Sequence, residues 1–254
     1  MGRSDHPVAV LVRPPWAEDA ARRTAQQFSL DLNIPAHRLD VYEDGVRSVR
    51  YTVAVGMPGF RTPRGEYQVT SVEWNPWWIP PDREWSRDER PTPPGTTNPM
   101  GRVKINFEPL YFLHGTPSVQ SLGHSASHGC VRMSNQDVIA LALRVHAAGA
   151  PSVGRATLDS LIADTSRTRR FYLEYSVPLR IRYDVAEVID DTLFLYRDTY
   201  ALDRRSDLQR TVGALTTAGM DSARIPHDRL RKILRSNPRR PLAIALSILL
   251  SPNP

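Results

Sequence analysis

Cysteine is almost absent from this 254-residue sequence, which contains a single one, Cys130. A lone thiol excludes an internal disulfide and a Cys-x-x-Cys metal or redox pair. It leaves two interpretations, a buried packing residue or a reactive nucleophile. The local sequence is Ser127-His128-Gly129-Cys130-Val131-Arg132. A packing cysteine has no need of a histidine and an arginine this close, or of a glycine directly before it, so the neighbours favour a reactive thiol.

Long apolar runs are also lacking. No stretch reaches the roughly 18 apolar residues that a transmembrane helix needs, and the apolar run from Leu242 to Leu250 is too short to span a bilayer. Residues 1–7 are not a charged region followed by an apolar core, so no export signal is visible. The sequence therefore predicts no transmembrane segment.

Signatures of nucleic-acid binding are missing as well. The formal net charge is +6 and the basic residues are overwhelmingly arginine, which suits an anionic polymer such as a cell wall or a nucleic acid. No helix-turn-helix, zinc-finger or RNP pattern is present, so no nucleic-acid partner is predicted. The hydrophobic fraction of 41% is ordinary for a globular chain, and the length allows one large or two small domains.

A nucleophilic cysteine needs particular neighbours. A free thiol has a pKa of about 8.5, so it requires a base within hydrogen-bond reach and donors for the oxyanion that forms on the attacked carbonyl. His114 follows the apolar run 110–113, which indicates a buried strand, so it would lie at a rigid strand end. Gly115 would let a backbone carbonyl approach the imidazole and fix its tautomer. The backbone N–H groups of Gly129 and Cys130 are candidate oxyanion donors.

Three separated motifs resemble those of one family. His114-Gly115-Thr116, followed by Ser127-His128-Gly129-Cys130-Val131-Arg132-Met133, is similar to the active-site signature of the L,D-transpeptidase catalytic domain family. Upstream, Thr62-Pro63-Arg64-Gly65-Glu66-Tyr67 and Asn98-Pro99-Met100-Gly101 are similar to the TPxGxF/Y and NPLG segments of that family. The motifs occur in the family's order and cover residues 34–150 approximately.

The resemblance implies an acyltransferase that cross-links or remodels bacterial peptidoglycan through a cysteine acyl-enzyme. It implies Cys130 as the nucleophile, His114 as its base, and a backbone carbonyl at Gly115 as the orienting third group. His128 is an alternative base, but the family pattern favours His114 and leaves His128 to line the acyl pocket. No cofactor is implied. The implied partners are peptidoglycan stem peptides and, as inhibitors, carbapenem β-lactams.

The other candidate substrate-binding residues each have a structural alternative. Arg132 offers a planar fork suited to a carboxylate or a peptide carbonyl, or else it is a surface or ion-paired arginine. Ser127 either contacts substrate or only shapes the loop. Trp77 and Trp78, together with Trp85, would wall a substrate cleft or else cover the edge of the core.

A metal site is a weaker interpretation of the histidines. His114, His124, His128 and Cys130 form a superficially attractive zinc set. Structural zinc usually takes two cysteines from a closely spaced pair, and the HExxH motif is absent. No metal is therefore predicted.

Hydrophobic periodicity predicts a mainly β protein with helices, an α+β fold. A period of two indicates strands within 38–55 and 67–74, and further strands are predicted over 103–107 and 110–113. Helical spacing predicts an N-terminal helix over 18–32 and a second helix from residue 134 or 135 to 147, behind the nucleophile loop. Clustered prolines between residues 80 and 99 predict a long loop, and loops of that length are usually functional.

The segment after residue 150 gives weaker signals. It predicts a short helix over 157–163, a hairpin over 177–196 that turns at Asp190-Asp191, and helices over 206–217 and 228–235. We predict three parts: an N-terminal helical segment (1–33), an antiparallel β-sandwich or barrel catalytic domain (34–183) with an insertion at about 151–176, and a helical and hairpin C-terminal subdomain (184–254).

Two functions from different classes remain. One is an L,D-transpeptidase in cell wall biogenesis and cell shape, or an L,D-carboxypeptidase if water is the acceptor. The other is a non-catalytic peptidoglycan-binding domain, against which the intact His114 and Cys130 argue. A papain-like hydrolase fits less well, because its nucleophile opens a helix near the mature N-terminus. Peptidoglycan places the protein in the cell envelope or periplasm, so we expect a missing leader or an export route that these residues do not reveal.

Overall fold

The structure is a computed structural model that describes residues 27–236 and 241–251. Within those ranges no helix has the length and apolar character needed to cross a bilayer. The strands are β1 (Phe28–Asn33), β2 (Arg38–Glu43), β3 (Val46–Thr52), β4 (Val55–Gly56), β5 (Gly65–Trp74), β6 (Val103–Glu108), β7 (Tyr111–Thr116), β8 (Ser125–Ser127), β9 (Val131–Ser134), β10 (Arg169–Arg182), β11 (Ala186–Ile189), β12 (Thr192–Leu195) and β13 (Leu242–Ala245). The helices are α1 (Asn135–Gly149), α2 (Arg155–Ala163), α3 (Asp207–Thr217), α4 (His227–Ser236) and α5 (Leu246–Leu250).

One large sheet organises the molecule. It has eight strands in the order β3-β2-β1-β10-β5-β6-β7-β9. Most neighbouring strands in this sheet are antiparallel, but β1 pairs with β10, and β7 with β9, in parallel. Strands β4 and β8 form a separate parallel pair. The predicted fold, mainly β with helices and built on a mostly antiparallel, barrel-like sheet, is confirmed.

Helix α1 covers one face of this sheet. It begins where predicted, because the side chain of Ser134 accepts a hydrogen bond from the Asp137 N–H at 3.0 Å and caps the first turn. Its apolar residues recur at helical spacing and are fully buried, which contributes about 1.5–3 kcal/mol for each large side chain. The buried residues are Val138, Leu141, Ala142 and Val145, and the core that they join includes Trp74, Ile105, Leu113, Val131 and Met133.

The N-terminal segment departs from its prediction. Residues 28–33 form strand β1, so the helix predicted over 18–32 is wrong there, and residues 18–26 lie outside the described ranges. The spacing between Phe28 and Leu32 fits one helical repeat, but it equally fits two steps of a strand, with Leu30 buried between them. Strands β2 and β10 bond to both edges of β1, and this pairing decides the conformation.

Strand β10 lies at the centre of the large sheet, between β1 and β5. It begins at Arg169 rather than at residue 177, so the end of the predicted insertion, residues 169–176, belongs to the strand. Its register with β5 shifts between Tyr172 and Val177, as at a β-bulge. The strand predicted over 177–188 is divided between β10 and β11.

The C-terminal strands form a second, smaller sheet in the order β11-β12-β13. It has its own apolar cluster with α3 and α4, which includes Leu193, Leu215, Ile225, Leu230 and Ile244. The predicted turn at Asp190-Asp191 is present, with both residues at positive φ. Glu187 of β11 is ion-paired with Arg38 at 2.7 Å and with Arg182 at 2.8 Å, which ties this region to the large sheet. The division into three domains stays a prediction.

Candidate active site

Strands β7 and β9 bring the predicted nucleophile and base together. They run parallel, with Leu113 opposite Val131 and His114 opposite Arg132. Successive side chains of a strand point to opposite faces. Leu113 and Val131 therefore enter the core under α1, whereas His114 and Arg132 share the other face, and Cys130 directly precedes β9 on that side.

The ring of His114 is buried and oriented by the backbone. Its Nδ1 lies 2.7 Å from the Gly115 carbonyl oxygen, which favours the tautomer with the proton on Nδ1 and leaves Nε2 to accept one. Burial lowers the pKa of His114 to about 4; the hydrogen bond to Gly115 opposes this change, and the charges of Arg132 and Lys104 add to it. The imidazole is therefore uncharged at neutral pH, as a general base must be.

The thiol of Cys130 is half-buried. Burial raises the pKa of Cys130, and this is opposed by a hydrogen bond with the backbone of Phe112 and by the charges of Lys104 and Arg132. The resting pair is thus a thiol and a neutral imidazole. Attack of the sulfur on a carbonyl then requires transfer of the thiol proton to His114.

Gly115 is required by close packing. A Cβ at Gly115 would lie 2.3 Å from the side-chain oxygen of Asn135, and a Cβ at Gly101 would lie 2.2 Å from the same oxygen. That oxygen accepts a hydrogen bond from the Arg102 N–H at 2.9 Å. The first residue of α1 therefore links the NPMG turn to the strand that carries His114.

The nucleophile loop is held by its own hydrogen bonds. The Gly129 N–H donates to Ser127 Oγ at 3.1 Å, and the Ser127 hydroxyl donates to the Cys130 carbonyl oxygen. Gly129 has a φ of +111°, and a Cβ there would lie 2.8 Å from the ring of Tyr111. Ser127 therefore shapes the loop. Because the Gly129 N–H is engaged within the loop, the Cys130 N–H is the remaining candidate of the two expected oxyanion donors.

A row of directly paired residues crosses the polar face of the sheet at the level of the histidine. The row consists of Arg170, Glu73, Lys104, His114 and Arg132. Glu73 is ion-paired with Lys104 at 3.6 Å and with Arg170. Sequence reasoning missed Lys104: the alternation of β6 places it on the polar face, but nothing in the sequence pairs it with His114.

Arg132 lies half-buried beside the thiol. Its backbone exchanges two hydrogen bonds with Ala54, at 2.8 and 2.9 Å, which fixes the start of the side chain. Over residues 27–236 and 241–251, Arg132 has no ion pair with a carboxylate. A fixed guanidinium without such a partner suits an anionic group or a carbonyl of a ligand.

Two aromatic side chains contact His128. The ring of Trp85 stacks on the imidazole, with centroids 3.9 Å apart and planes 4° apart, and Phe60 meets it edge-on at 4.6 Å. Trp85 belongs to a short 3-10 helix, Glu84–Ser86, within the long loop 75–99. The predicted loop therefore lies against the nucleophile loop.

Trp77 and Trp78 do not share this contact. In the described part of the chain, ring contacts to His128 come from Trp85 and Phe60 alone. Trp77 is 48% exposed, and the backbone of Trp78 pairs with Thr92 inside the long loop. Trp85, the third tryptophan of the sequence analysis, is the one that reaches the site.

The long loop is anchored by the asparagine of the NPMG motif. The buried side chain of Asn98 donates hydrogen bonds to the carbonyl oxygens of Pro76, Thr92 and Pro93 at 2.9 to 3.0 Å. Its oxygen accepts from the Met100 N–H at 2.8 Å. One side chain thus ties both ends of the loop together.

The histidines do not gather around a common point. His114 is buried in β7, His128 is stacked on an indole, and His124 is exposed. No group of three or more His, Cys, Asp or Glu side chains placed to hold a metal ion occurs among the described residues.

Comparison with known proteins agrees with the motifs. The YkuD family model, described as the L,D-transpeptidase catalytic domain, matches residues 27–157. Two proteins named as probable L,D-transpeptidases ErfK/SrfK, from Salmonella typhimurium and Escherichia coli, are each 33% identical over 118 residues, or 42% of this chain. The match covers 38% and 37% of their lengths, so the chain spans well under half of these curated relatives.

Among solved structures, an L,D-transpeptidase in complex with imipenem aligns with 61% of this chain and 59% of its own. The TM-score is 0.39 and the sequence identity is 16%. We draw no conclusion about this chain from an alignment with so low a TM-score and identity.

Proposed function

This chain belongs to the L,D-transpeptidase catalytic domain family, and we propose that it is an acyl-transferring enzyme of the cell envelope with Cys130 as its nucleophile. The proposed substrate is a peptidoglycan stem peptide, attacked at the carbonyl between its third and fourth residues. The terminal D-amino acid leaves, and an amine of a neighbouring stem resolves the thioester, which cross-links the wall.

One observation supports the proposal: a neutral, backbone-oriented His114 lies on β7, and Cys130 directly precedes β9, the parallel strand beside it, on the same face of the sheet. The hydrogen bond from Nδ1 to the Gly115 carbonyl oxygen favours the tautomer in which Nε2 can accept a proton. A domain that only binds peptidoglycan has no use for this arrangement.

The proposed first half-reaction moves one proton. His114 Nε2 takes the proton of the Cys130 thiol as the sulfur bonds to the substrate carbonyl carbon. The negative charge that forms on the carbonyl oxygen is stabilised by the Cys130 N–H, and one such donor contributes about 3–4 kcal/mol in known cases. The C–N bond then breaks, and His114 returns the proton to the departing amine.

The second half-reaction reverses these transfers. An acceptor amine gives a proton to His114 as its nitrogen attacks the thioester carbonyl. The C–S bond breaks and Cys130 recovers the proton. Water in place of the amine would give hydrolysis.

Substrate recognition is proposed for Arg132 and His128. The guanidinium of Arg132 lies beside the thiol and has no carboxylate partner in the described ranges, so a carboxylate or carbonyl of the stem peptide would be its natural ligand. His128, fixed between Trp85 and Phe60, would form a wall of the acyl pocket.

The test is intact-protein mass spectrometry after incubation with imipenem, a carbapenem whose lactam carbonyl mimics an acyl donor. We expect the wild-type protein to gain one imipenem mass. Cys130→Ala should gain none, and His114→Gln should acylate more slowly by about 10²-fold or more, the usual contribution of a positioned base. His124→Gln, which alters an exposed histidine of the same segment, is the matched control and should acylate like wild type.

A wild-type thiol that reacts with a small maleimide but never with imipenem would contradict the proposal and favour a peptidoglycan-binding module. Products made from a stem tetrapeptide with and without an added amine would then separate cross-linking from hydrolysis.

A further inference from the structure

A tyrosine from outside the matched domain is linked to the nucleophile loop through Thr62. Tyr200 follows strand β12 and is 3% exposed. Its hydroxyl donates to the Gly56 carbonyl oxygen at 2.6 Å and accepts a hydrogen bond from the Thr62 N–H at 3.2 Å. The family model ends at residue 157, so these contacts are not part of the resemblance.

The hydroxyl of Thr62 extends this network to the active site. It donates to the Gly129 carbonyl oxygen at 2.9 Å and accepts from the Gly56 N–H at 2.9 Å. Thr62 is 2% exposed, so solvent does not compete for these bonds. Two hydroxyls, those of Tyr200 and Thr62, therefore connect the C-terminal region to the residue before the nucleophile.

The bond to Gly129 acts on the proposed oxyanion donor. The Gly129 carbonyl and the Cys130 N–H belong to one peptide unit, which is planar, so the direction of the carbonyl sets the direction of the N–H. Glycine at a φ of +111° has wide conformational freedom. An external contact is therefore needed to hold this peptide in one orientation.

Tyr200 is itself held firmly. Its backbone N–H donates to the hydroxyl of Tyr183, at the end of β10, at 2.7 Å, and the two rings stack with centroids 5.3 Å apart. The Arg61 guanidinium lies 5.7 Å from the centre of the Tyr200 ring. The hydroxyl is thus fixed relative to the central strand of the large sheet.

We propose that Tyr200 is a positioning residue of the active site. Through Thr62 it holds the Gly129–Cys130 peptide so that the Cys130 N–H points at the oxyanion. This inference rests on the proposed function of Cys130 and gives the C-terminal region a part in catalysis.

The experiment compares two reactions of the same thiol. Acylation by imipenem forms an oxyanion on the attacked carbonyl, which the Cys130 N–H would stabilise. In alkylation by iodoacetamide, the sulfur bonds to carbon and displaces iodide, and no such oxyanion forms. A residue that positions the N–H should affect the first reaction and not the second, whereas a residue that only stabilises the fold should affect both alike.

The variants are Tyr200→Phe and Thr62→Val, which each remove one hydroxyl. We expect acylation to slow by about tenfold to 10²-fold, as for small displacements of reacting groups, with the alkylation rate unchanged. Thr62→Ser keeps the hydroxyl and should restore acylation. Tyr196→Phe is the matched control, because it removes a buried hydroxyl bonded to Glu187 and Arg38, away from the loop, and it should leave both rates unchanged.

Melting temperatures identify any variant that fails to fold, and the Thr62 pair then supplies the test. Equal slowing of both reactions in Tyr200→Phe, or acylation at the wild-type rate, would overturn the inference while the proposed function stands. A wild-type protein that is alkylated but never acylated would overturn the proposed function and this inference with it.

Discussion

Burial acts in opposite directions on the two side chains that the proposed reaction couples. It lowers the pKa of His114 to about 4 and raises the pKa of Cys130, because in each case the charged form loses solvation. The resting site therefore contains no thiolate–imidazolium pair. Lys104 and Arg132 stand beside it as positive groups that would favour the thiolate once the proton has moved.

The pH dependence of acylation follows from the state of His114. Because its pKa is lowered, the imidazole stays neutral and able to accept a proton until the pH falls to about 4. We expect the rate of imipenem acylation to fall on the acid side with an apparent pKa near 4, measured by mass spectrometry across the acidic and neutral range. An acid limb in the ordinary histidine range of about 6–7 would instead indicate a solvated base.

Trp85 should affect ligand binding more than Trp77 does. Replacing Trp85 by Leu removes the ring that stacks on His128, and stacked aromatic pairs are worth about 0.5–1.5 kcal/mol beyond area burial. We expect the half-saturating imipenem concentration to rise several-fold in Trp85→Leu. Trp77→Leu, which alters an exposed ring without that contact, should match wild type; an equal rise in both would contradict this assignment.

At the scale of elements, alternation predicted the strands that line the site and failed where the pattern was ambiguous. Strands β5 and β6 alternate between apolar and polar side chains, so a period of two marks them, whereas β7 is predicted from its short apolar run. The first half of β10 alternates between exposed and half-buried residues, which gives little apolar signal. The hydrogen bond between Tyr200 and Thr62 joins residues far apart in the chain, and a local sequence pattern cannot predict such a pair.

The long loop 75–99 should depend on one side chain. Asn98→Ala leaves the carbonyl oxygens of Pro76 and Pro93 and the Met100 N–H without this partner, and unsatisfied buried groups cost about 1–3 kcal/mol each. The Thr92 carbonyl oxygen keeps its hydrogen bond from the Trp78 N–H. We expect the free energy of unfolding to decrease by about 2–4 kcal/mol, as measured by denaturant titration. We also expect faster proteolysis within the loop, as measured by peptide mapping.

Asn106→Ala is the control for this loss. The half-buried amide of Asn106 makes one long contact, at 3.4 Å, with the Ser71 carbonyl oxygen. Its replacement should leave the loop as resistant to proteolysis as it is in wild type. Equal cleavage of the two variants would show that Asn98 does not anchor the loop.

At the scale of the whole molecule, a buried ionic cluster joins the two sheets. Glu187 of β11 pairs with Arg38 of β2 and Arg182 of β10, and its carboxylate also accepts from Tyr196. Although burial alone would raise its pKa, hydrogen bonding and the charges of the arginines outweigh this and lower the pKa of Glu187 to about 2. The cluster therefore needs an ionised carboxylate.

Acid should weaken this connection. A carboxylate whose pKa is lowered on folding stabilises the protein fully above its unfolded pKa, here 4.5, and loses that effect as the pH falls toward about 2. We expect the melting temperature of the wild-type protein to decrease as the pH is lowered from 4.5 to about 2. Glu187→Gln should be less stable than wild type at neutral pH, and its melting temperature should decrease less on acidification. The same dependence of melting temperature on pH in both proteins would contradict this role for Glu187.

Strand β10 reaches the ribosome exit late, although it occupies the middle of the large sheet. A nascent chain exposes β1 and β5 well before their common neighbour is made, at a rate of about 5–20 residues per second. Until residue 182 emerges, those edges have unpaired N–H and C=O groups that could template contacts with other chains. A fragment ending at residue 157 would contain His114 and Cys130 but not the strand that joins the halves of their sheet. Cys130 is therefore synthesised before β10, the strand that completes its sheet.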